Sequence, residues 1–328
     1  MSNTSKSLAA AVTLFLVAPL VAEYLLGDFP LTFLSPLLVM APFYGGGALL
    51  IRELTRRSGR GWPTIFLLSA AYTLIEEGVT TQSLFNPNYL GFHFLAHAWI
   101  PALGIGGWWT MLMFNVHIFW SMGVSIALVE GLVPSRARSP WLGPVGTAVA
   151  ALLFVLGAIA STAFSIRQYH FIASREQFAA TAVLVVLFIC AAFLFPFPRI
   201  HNRPVPVPSP WITGLIAFLG GIAVFFTPPN LDWRAVAFML LVDAAFLAFV
   251  GLFSRCAEWT ALHTFSLAAG GAIFYGVHAF IQPPVAGRAS HAVVLAGHCI
   301  LLMACIALIA IAVHRTRGLL AAPPAARP

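Results

Sequence analysis

Residues 178–197 read FAATAVLVVLFICAAFLFPF, a stretch without a single charged side chain. An α-helix of this length spans about 30 Å, which matches the hydrocarbon core of a bilayer. Lipid cannot satisfy backbone N–H and C=O groups, so a membrane-crossing segment is either a helix or a strand of a closed barrel. The stretch lacks the period-two alternation of barrel strands, which favours the helix.

The rest of the chain has the same character. Of its 328 residues, 60% are hydrophobic and 8% are charged, and the mean hydropathy is +0.92. A soluble domain carries roughly 25% charged residues, so this composition excludes a water-soluble protein. We therefore predict an all-α fold, a polytopic transmembrane helical bundle whose surroundings are the lipid bilayer.

About ten apolar stretches follow one another along the chain, and each is a predicted span. The first follows a short polar head that contains Lys6. Leu20-Val21-Ala22 is a poor signal-peptidase site, so we expect this helix to remain uncleaved. The predicted spans are 8–26, 31–51, 62–83, 108–132, 141–165, 178–197, 210–228, 233–253, 260–282 and 290–313.

A proline-rich stretch, FPFPRIHNRPVPVPSP at 195–210, divides the chain. Proline at this density is incompatible with a helix and favours a stiff, extended backbone. The predicted organisation is a six-helix membrane part at 1–197, a cytoplasmic linker at 198–209, a four-helix membrane part at 210–313 and a cytoplasmic tail at 314–328.

The distribution of positive charge predicts the orientation. Alternate loops carry 13 Lys and Arg residues on one side and 4 on the other, namely Arg167, Arg175, Arg234 and Arg288. The positive-inside rule places both termini in the cytoplasm, and we expect the plasma membrane, as in a bacterial inner membrane. The net charge of +7 is spread over these loops, so no nucleic-acid partner is predicted. The four cysteines lack CxxC spacing, which argues against a zinc site or a disulfide framework.

Seven ionisable side chains interrupt the spans at a similar predicted depth, towards the outer leaflet. An ionisable residue within a span costs about 2.5–3.5 kcal/mol on insertion scales, so each is a candidate functional residue. They belong to six different spans: Glu23, Glu76, Glu77, His117, Asp243, His278 and His298.

The Glu76-Glu77 pair is the sharpest of these features. Adjacent residues on a helix point about 100° apart, so we expect only one of the two to aim at a given centre. Two carboxylates this close repel each other, which favours proton uptake by one of them. Together with His117 they suit general acid–base chemistry or proton coupling. The alternative is a structural glutamate that is hydrogen-bonded to a loop.

Other polar residues are candidates for supporting this centre. Residues 80–89, TTQSLFNPNY, are polar and contain the turn signal Asn-Pro, and we expect them to cover the carboxylates or to hydrogen-bond with them. Near the cytoplasmic face, Glu130 is expected to pair with Arg136 or Arg138. No metal or other cofactor is predicted, although haem and metal are not excluded. The supporting or proton-relay candidates are Glu23, Asn115, Gln82, Asp243, His278 and His298.

A Glu-Glu pair in one membrane helix and a His in the next resemble the CPBP family of intramembrane endopeptidases, which includes the CAAX-processing enzymes. That family carries EExxxR, then FxxxH, then a later His followed four residues on by Asn or a similar residue. The resemblance implies that Glu76 and Glu77 supply the carboxylates and His117 the histidine that activate a water for peptide cleavage.

The chain also departs from that pattern. Thr81 stands in the place of the Arg, and Phe114 precedes His117 by three residues instead of four. An FxxxH occurs downstream at Phe274–His278, with Gln282 four residues later. Residues 43–61 and 72–91 resemble uncharacterised bacterial multi-pass membrane proteins, a likeness that implies no mechanism.

Four hypotheses follow. The leading one is an endopeptidase-like intramembrane hydrolase that acts on a membrane peptide, with Glu76 or Glu77 as general base and His117 as its partner. The second is a proton-coupled carrier or channel for a small solute, in which Glu23, Glu77 and Asp243 relay protons. A haem or quinone protein would use His117, His278 and His298. The fourth is a structural or partner-binding membrane subunit.

Overall fold

The computed structural model describes residues 3–195 and 206–321, and in these two stretches the chain forms ten helical rods. The first four rods combine α-helix with π-helix, a rare conformation that often occurs at functional sites. They are α1 (Asn3–Pro19) with π1 (Leu20–Leu25); α2 (Leu37–Met40), π2 (Ala41–Gly45) and α3 (Gly46–Arg57); α4 (Trp62–Leu74) with π3 (Ile75–Thr80); and α5 (Gly107–Asn115), π4 (Val116–Val124) and α6 (Ser125–Leu132).

The other six rods are single α-helices. They are α7 (Pro144–Tyr169), α8 (Arg175–Leu194), α9 (Pro210–Phe225), α10 (Trp233–Phe253), α11 (Ala261–His278) and α12 (His291–Ala321). A two-stranded antiparallel ribbon, β1 (Trp99–Ile100) and β2 (Ile105–Gly106), lies between the third and fourth rods, with Trp99 opposite Gly106. Short 3₁₀ turns lie at Tyr89–Gly91, Phe94–Ala96, Pro134–Arg136 and Pro229–Leu231.

Seven of these rods are long and apolar enough to cross a membrane, which supports a multi-pass helical membrane protein. They are Ser5–Leu25, Leu37–Arg57, Gly107–Leu132, Pro144–Tyr169, Arg175–Leu194, Trp233–Phe253 and His291–Ala321. The predicted spans 62–83, 210–228 and 260–282 also coincide with rods, at 62–80, Pro210–Phe225 and Ala261–His278. Seven candidate spans are thus found in the described stretches; the count of ten and the orientation stay predictions.

Two predicted boundaries differ from the structure more than the others do. The second rod begins at Leu37 instead of 31, because turns occupy the segment before Pro36. The last helix continues to Ala321, well beyond 313, so the predicted tail is helical over its first residues. Most of the predicted linker, 198–205, and residues 322–328 of the tail lie outside the described residues.

Local signals in the sequence explain where the peripheral helices begin. The helix α8 starts with a capping box in which Ser174 Oγ accepts from Gln177 N at 3.2 Å and Gln177 Oε1 accepts from Ser174 N at 2.9 Å. The helix α7 begins at Pro144, where the fixed φ of proline suits the first helical position. These caps set the helix starts three residues away from the predicted span starts at 141 and 178.

Burial separates inner rods from outer ones. In Gly107–Leu132, 72% of the most apolar window is buried inside the protein, whereas the fraction is 11% in Arg175–Leu194 and in Trp233–Phe253. A helix that is apolar all round and mostly exposed suits a lipid-facing position. The inner rods, which include π3 and π4, therefore carry the polar residues away from lipid.

Glycines allow two helix contacts that are too close for a side chain. A Cβ atom at Gly270 in α11 would lie 1.9 Å from the carbonyl oxygen of Gly214 in α9, so these helices touch backbone to backbone. A Cβ atom at Gly78 in π3 would lie 2.8 Å from Cγ2 of Thr181 in α8. The second contact presses the segment that carries Glu76 and Glu77 against an outer helix.

A buried ion network joins α3 to α6 at the predicted cytoplasmic side. Arg52 Nε lies 3.0 Å from Glu130 Oε1, and Arg52 Nη1 donates to Glu53 Oε1 at 2.7 Å. Arg56 binds both oxygens of Glu130, at 2.9 and 2.8 Å. The Arg52 guanidinium also lies 3.2 Å from the centre of the Trp141 ring. Arg52 Nη2 donates to three loop carbonyls, those of Arg136, Ala137 and Ser139.

The prediction that Glu130 pairs with Arg136 or Arg138 is wrong. Its partners are Arg52 and Arg56, which reach it from α3. The loop after α6 contributes backbone carbonyls to the network instead of side chains. Sequence proximity favoured the loop arginines, but the packing of α3 against α6 brings two other arginines closer.

Candidate functional site

Glu76, Glu77 and His117 meet in the interior between π3 and π4. His117 Nε2 lies 2.8 Å from Glu77 Oε1, and His117 Nδ1 lies 3.1 Å from Glu76 Oε2. The exposed fractions are 3% for Glu76, 5% for Glu77 and 3% for His117, so bulk water does not surround the group. The three residues predicted as the centre of the site therefore form one contiguous cluster.

Both glutamates reach the same imidazole, contrary to the expectation that only one could aim at a given centre. That expectation assumed an α-helix, but Ile75–Thr80 is π-helical, which changes the angle between successive side chains. The imidazole also offers two nitrogens, so each carboxylate approaches a different atom of the ring. His117 itself lies on the π-helical segment Val116–Val124.

Hydroxyl groups fix the position of Glu77. Thr81 Oγ1 donates to Glu77 Oε2 at 2.9 Å, and Ser83 Oγ donates to the same oxygen in a short hydrogen bond. Trp109 Nε1 in turn donates to Ser83 Oγ at 3.0 Å. The prediction that residues 80–89 support the carboxylates is confirmed for Thr81 and Ser83. With His117 on its other oxygen, Glu77 is fully hydrogen-bonded.

Glu76 has a different environment. Its Oε2 atom is buried and has no hydrogen-bond partner of normal geometry among the described residues, and the same holds for the Tyr72 hydroxyl. Tyr72 and Tyr44 lie next to this carboxylate, and their rings lie 6.1 and 6.3 Å from the His117 ring. Ser121 Oγ lies 3.3 Å from His117 Nδ1. Glu76 is thus held less tightly than Glu77, by His117 and two tyrosines instead of by two hydroxyl hydrogen bonds.

Glu23 extends the cluster towards the first rod. Tyr44 donates its hydroxyl hydrogen to Glu23 Oε1 at 2.5 Å, and Tyr44 also adjoins Glu76. Glu23 lies on π1, Tyr44 on π2, Glu76 on π3 and His117 on π4. All four π-helical segments of the described chain thus contribute a polar side chain to this interior region.

Asp28, which was not predicted as a site residue, lies beside Glu23. Gln282 Nε2 donates to Asp28 Oδ1 at 3.0 Å, and the Asp28 carbonyl accepts from Val285 N at 2.8 Å. Asp28 lies in the connection after π1, where burial raises the pKa of its carboxyl from 3.8 to about 6 and the Gln282 hydrogen bond acts in the opposite direction. Asp28 and Glu23 also influence each other electrostatically.

Three of the predicted supporting residues lie apart from the cluster. Asn115 Nδ2 donates to Asp243 Oδ2 at 3.0 Å and to Met111 O at 3.0 Å. The bond to Asp243 ties α5 to α10, whereas the bond to Met111 lies within α5. Gln82 Oε1 accepts from Ala173 N at 2.7 Å, which holds the loop before α8. Each of these side chains makes a structural connection between rods.

The other two predicted histidines lie near the ends of α11 and α12. The His278 ring lies 5.2 Å from the Phe225 ring and 5.6 Å from the Phe274 ring. The His298 ring lies 5.7 Å from the Phe280 ring. Both histidines have aromatic neighbours instead of the carboxylates, and His278 Nδ1 and His298 Nε2 have no hydrogen-bond partner among the described residues.

Sequence reasoning missed several polar residues that contact the cluster. A tyrosine or tryptophan in a span is counted as apolar, yet its buried O–H or N–H group usually needs a partner. Hydroxyl groups in an otherwise apolar or carboxylate-bearing segment are therefore the signal that could have found them. The missed residues are Tyr44, Tyr72, Ser121 and Trp109.

The cluster also has the donor atoms of a metal site. Glu76, Glu77 and His117 each offer one ligand atom, and these three atoms lie within 4.8 Å of one another. Imidazole nitrogen and carboxylate oxygen are common ligands of zinc and of other divalent transition metals. Acid–base chemistry, proton exchange and metal binding are all compatible with this donor set.

A family described as an uncharacterized membrane protein family matches residues 12–327, and the chain belongs to it. No curated protein and no solved structure matches the chain. The match agrees with the likeness to uncharacterised multi-pass membrane proteins. The likeness to the CPBP endopeptidases rests on the motif residues alone.

Proposed function

We propose that the protein is an intramembrane hydrolase of the endopeptidase type, which cleaves a membrane peptide at the Glu76–Glu77–His117 cluster. The observation that carries the proposal is the imidazole held between two buried carboxylates, at 2.8 Å and 3.1 Å. The plasma membrane, with both termini in the cytoplasm, is the proposed location. The CPBP-like order of the motif residues points to the same reaction class.

The two carboxylates have different proposed roles. Glu77 accepts hydrogen bonds from Thr81 and Ser83 and contacts His117 Nε2 with its other oxygen, so it orients the imidazole. Glu76 Oε2 contacts His117 Nδ1 at 3.1 Å without a hydrogen bond of normal geometry, so Glu76 is the better placed general base. In the proposed reaction Glu76 takes a proton from water, and the hydroxide attacks the peptide carbonyl. The C–N bond breaks as the proton passes to the leaving amine.

A proton-coupled carrier or channel is the second candidate. The observation that favours it is the continuous polar path from Glu23 through Tyr44 to Glu76 and His117. Buried carboxyl and imidazole groups in series are what proton relays in transporters use. In this alternative Glu23 is essential, whereas the hydrolase needs it only to shape the site.

A survey of protein N-termini in membranes tests the leading proposal. Cells that carry the wild-type chain are compared with cells that carry the Glu76→Gln, Glu77→Gln double variant. Asp243→Asn serves as the matched control, because Asp243 is a partly buried carboxyl that lies outside the cluster. We expect N-termini that occur with wild type and with Asp243→Asn but are lost with the double variant. Identical surveys for all three chains would contradict the hydrolase.

Proton flux in liposomes separates the two candidates. The second candidate predicts flux that Glu23→Gln abolishes and Asp243→Asn leaves unchanged. The hydrolase predicts no wild-type flux above that of empty liposomes and a cleavage activity that survives Glu23→Gln in part. Carboxylate-dependent flux together with an unchanged N-terminal survey would replace the hydrolase by the carrier.

A further inference from the structure

The cluster has an excess of acidic groups for its single imidazole. Glu23, Glu76 and Glu77 supply three carboxyl groups, and within residues 3–195 and 206–321 the ion-pair partner of Glu76 and Glu77 is His117. Carboxylates are very unfavourable in a low-dielectric interior unless a proton or a positive charge compensates them. A bound cation supplies such a charge where Lys and Arg side chains do not.

One unpaired atom points to a ligand independently of the charge. The Tyr72 hydroxyl is buried, with an exposed fraction of 3% for the residue, and it lacks a hydrogen-bond partner of normal geometry in the described parts of the chain. Buried polar atoms are nearly always satisfied by protein, water or an ion. Tyr72 adjoins Glu76, whose Oε2 atom contacts His117 Nδ1 at 3.1 Å, so the unpaired hydroxyl lies at one edge of the cluster.

The ligand atoms are close to the spacing that a metal ion requires. One atom each of Glu76, Glu77 and His117 lies within 4.8 Å of the others. Ligands about 2.1 Å from a tetrahedral zinc ion lie about 3.4 Å apart, so small side-chain movements would complete the shell. Thr81 and Ser83 donate hydrogen bonds to Glu77 and orient its carboxylate, as hydrogen-bond partners of metal ligands commonly do.

We infer that Glu76, Glu77 and His117 bind one divalent transition-metal cation of the Zn²⁺ class, leaving a fourth position for water. The inference rests on the proposed function, because it concerns the same site. Three protein ligands with an open fourth position are typical of catalytic rather than structural zinc. The cation would lower the pKa of its bound water to about 7, and Glu76 would then serve as a ligand instead of a free base.

Metal content of the purified full-length chain is the direct test. The protein carries a tag without histidine, is purified in detergent without chelator, and is analysed for metals by mass spectrometry. We expect about one divalent transition metal per chain, and at least tenfold less in His117→Ala and in Glu77→Gln. The matched controls Asp243→Asn and His298→Asn keep the wild-type content, because both residues lie outside the cluster.

Two further measurements keep the test decisive if a ligand variant fails to fold. Co²⁺ added to the chelator-treated wild type should give the visible absorption of a four-coordinate site, and Zn²⁺ should displace it. Ser83→Ala leaves all three ligands in place and should weaken Zn²⁺ binding about 10- to 100-fold. Wild type that holds no metal after incubation with Zn²⁺ and gel filtration would overturn the inference, as would ligand variants with unchanged content.

These experiments also distinguish the inference of a bound cation from the proposed hydrolase function. If the metal-free protein cleaves its substrate and chelator does not inhibit this cleavage, the inference of a bound cation is wrong and the proposed function stands. A stoichiometric metal in wild type, together with unchanged N-termini in the double variant, would overturn the hydrolase and leave the cation standing.

Discussion

Two buried charged regions of this protein are built in opposite ways. The network at the predicted cytoplasmic side sets Arg52 and Arg56 against Glu53 and Glu130, so the charges balance. The cluster around His117 sets three carboxyl groups against one imidazole, so its charges do not balance. A buried network whose charges are matched suits a structural role, whereas buried groups left unmatched are the ones available to a ligand or a proton.

The partners of the two regions support this distinction. Arg52 Nη2 donates to three loop carbonyls, and Glu53 accepts from Trp141 N and Leu142 N. These bonds fix the loop that joins α6 to α7. In the cluster, by contrast, only Glu77 has a complete set of hydrogen bonds. The four predictions that follow test the contrast, from the largest expected effect to the smallest.

Glu130→Ala should have the largest effect on stability. It removes the carboxylate that binds Arg56 and contacts Arg52, and it leaves buried guanidinium groups without compensation. Breaking a buried ion pair from one side destabilises by about 3–5 kcal/mol, and unfolding in detergent would measure the loss. Arg57→Ala is the control: its side chain is 34% exposed and lies 3.9 Å from Glu53, so a change within about 1 kcal/mol is expected. Equal losses of unfolding free energy in Glu130→Ala and Arg57→Ala would contradict the structural role assigned to the buried ion network.

Glu77→Gln should affect activity far more than stability. Glu77 orients the His117 imidazole, and replacing the carboxylate that orients a catalytic histidine by its amide lowers the rate by up to about 10,000-fold, while Gln keeps an oxygen that accepts from Thr81 and Ser83. We expect a folded, correctly inserted chain whose cleavage rate falls by that factor. A variant that unfolds as Glu130→Ala does would place Glu77 among the structural residues.

Tyr44→Phe tests the hydrogen bond that links Glu23 to the cluster. The change removes the hydrogen bond to Glu23 Oε1, and hydrogen bonds to charged groups contribute about 1.5–3 kcal/mol. The unfolding free energy in detergent should fall by an amount in this range, with cleavage reduced only a few-fold. Complete loss of proton flux in liposomes, with cleavage absent in wild type, would instead favour the carrier.

Asp28→Asn should have the smallest effect, and that effect should depend on pH. Burial raises the pKa of Asp28 from 3.8 to about 6, so the folded chain binds more protons than the unfolded chain between those values. Wild-type stability should therefore fall as the pH rises through that range. The variant cannot titrate there and should lose this slope, which unfolding measured at pH 4 and at pH 7 would detect. If the substitution leaves the pH dependence of stability unchanged, a group other than Asp28 causes that dependence.

Much of the fold could be predicted from the sequence because lipid imposes a simple rule on length and polarity. Every predicted span overlaps a helical rod, since an apolar stretch of about twenty residues has few alternatives to a helix. The observed starts of α7 and α8 differ from the predicted ones because single residues, Pro144 and Ser174, determine where these helices begin. Hydropathy averages over such single residues and does not detect them.

The site could be predicted only in part, because depth in a membrane does not give the direction of a side chain. Glu76, Glu77 and His117 share a depth and meet, whereas Asp243 and His298 share the predicted depth and lie apart. The π-helical segments were not predictable either, because their sequences carry no distinct periodicity. They change the angle at which side chains leave the helix, and this angle decides which residues converge.

The most direct test measures folded abundance and membrane N-termini in the same cells, for wild type, Glu77→Gln and Glu130→Ala. The account predicts that Glu77→Gln reaches wild-type abundance but yields none of the wild-type-dependent N-termini. It predicts that Glu130→Ala falls in abundance and that its cleavage falls in proportion. Wild-type N-termini retained by Glu77→Gln at equal abundance would contradict the claim that the Glu76–Glu77–His117 cluster is the working site.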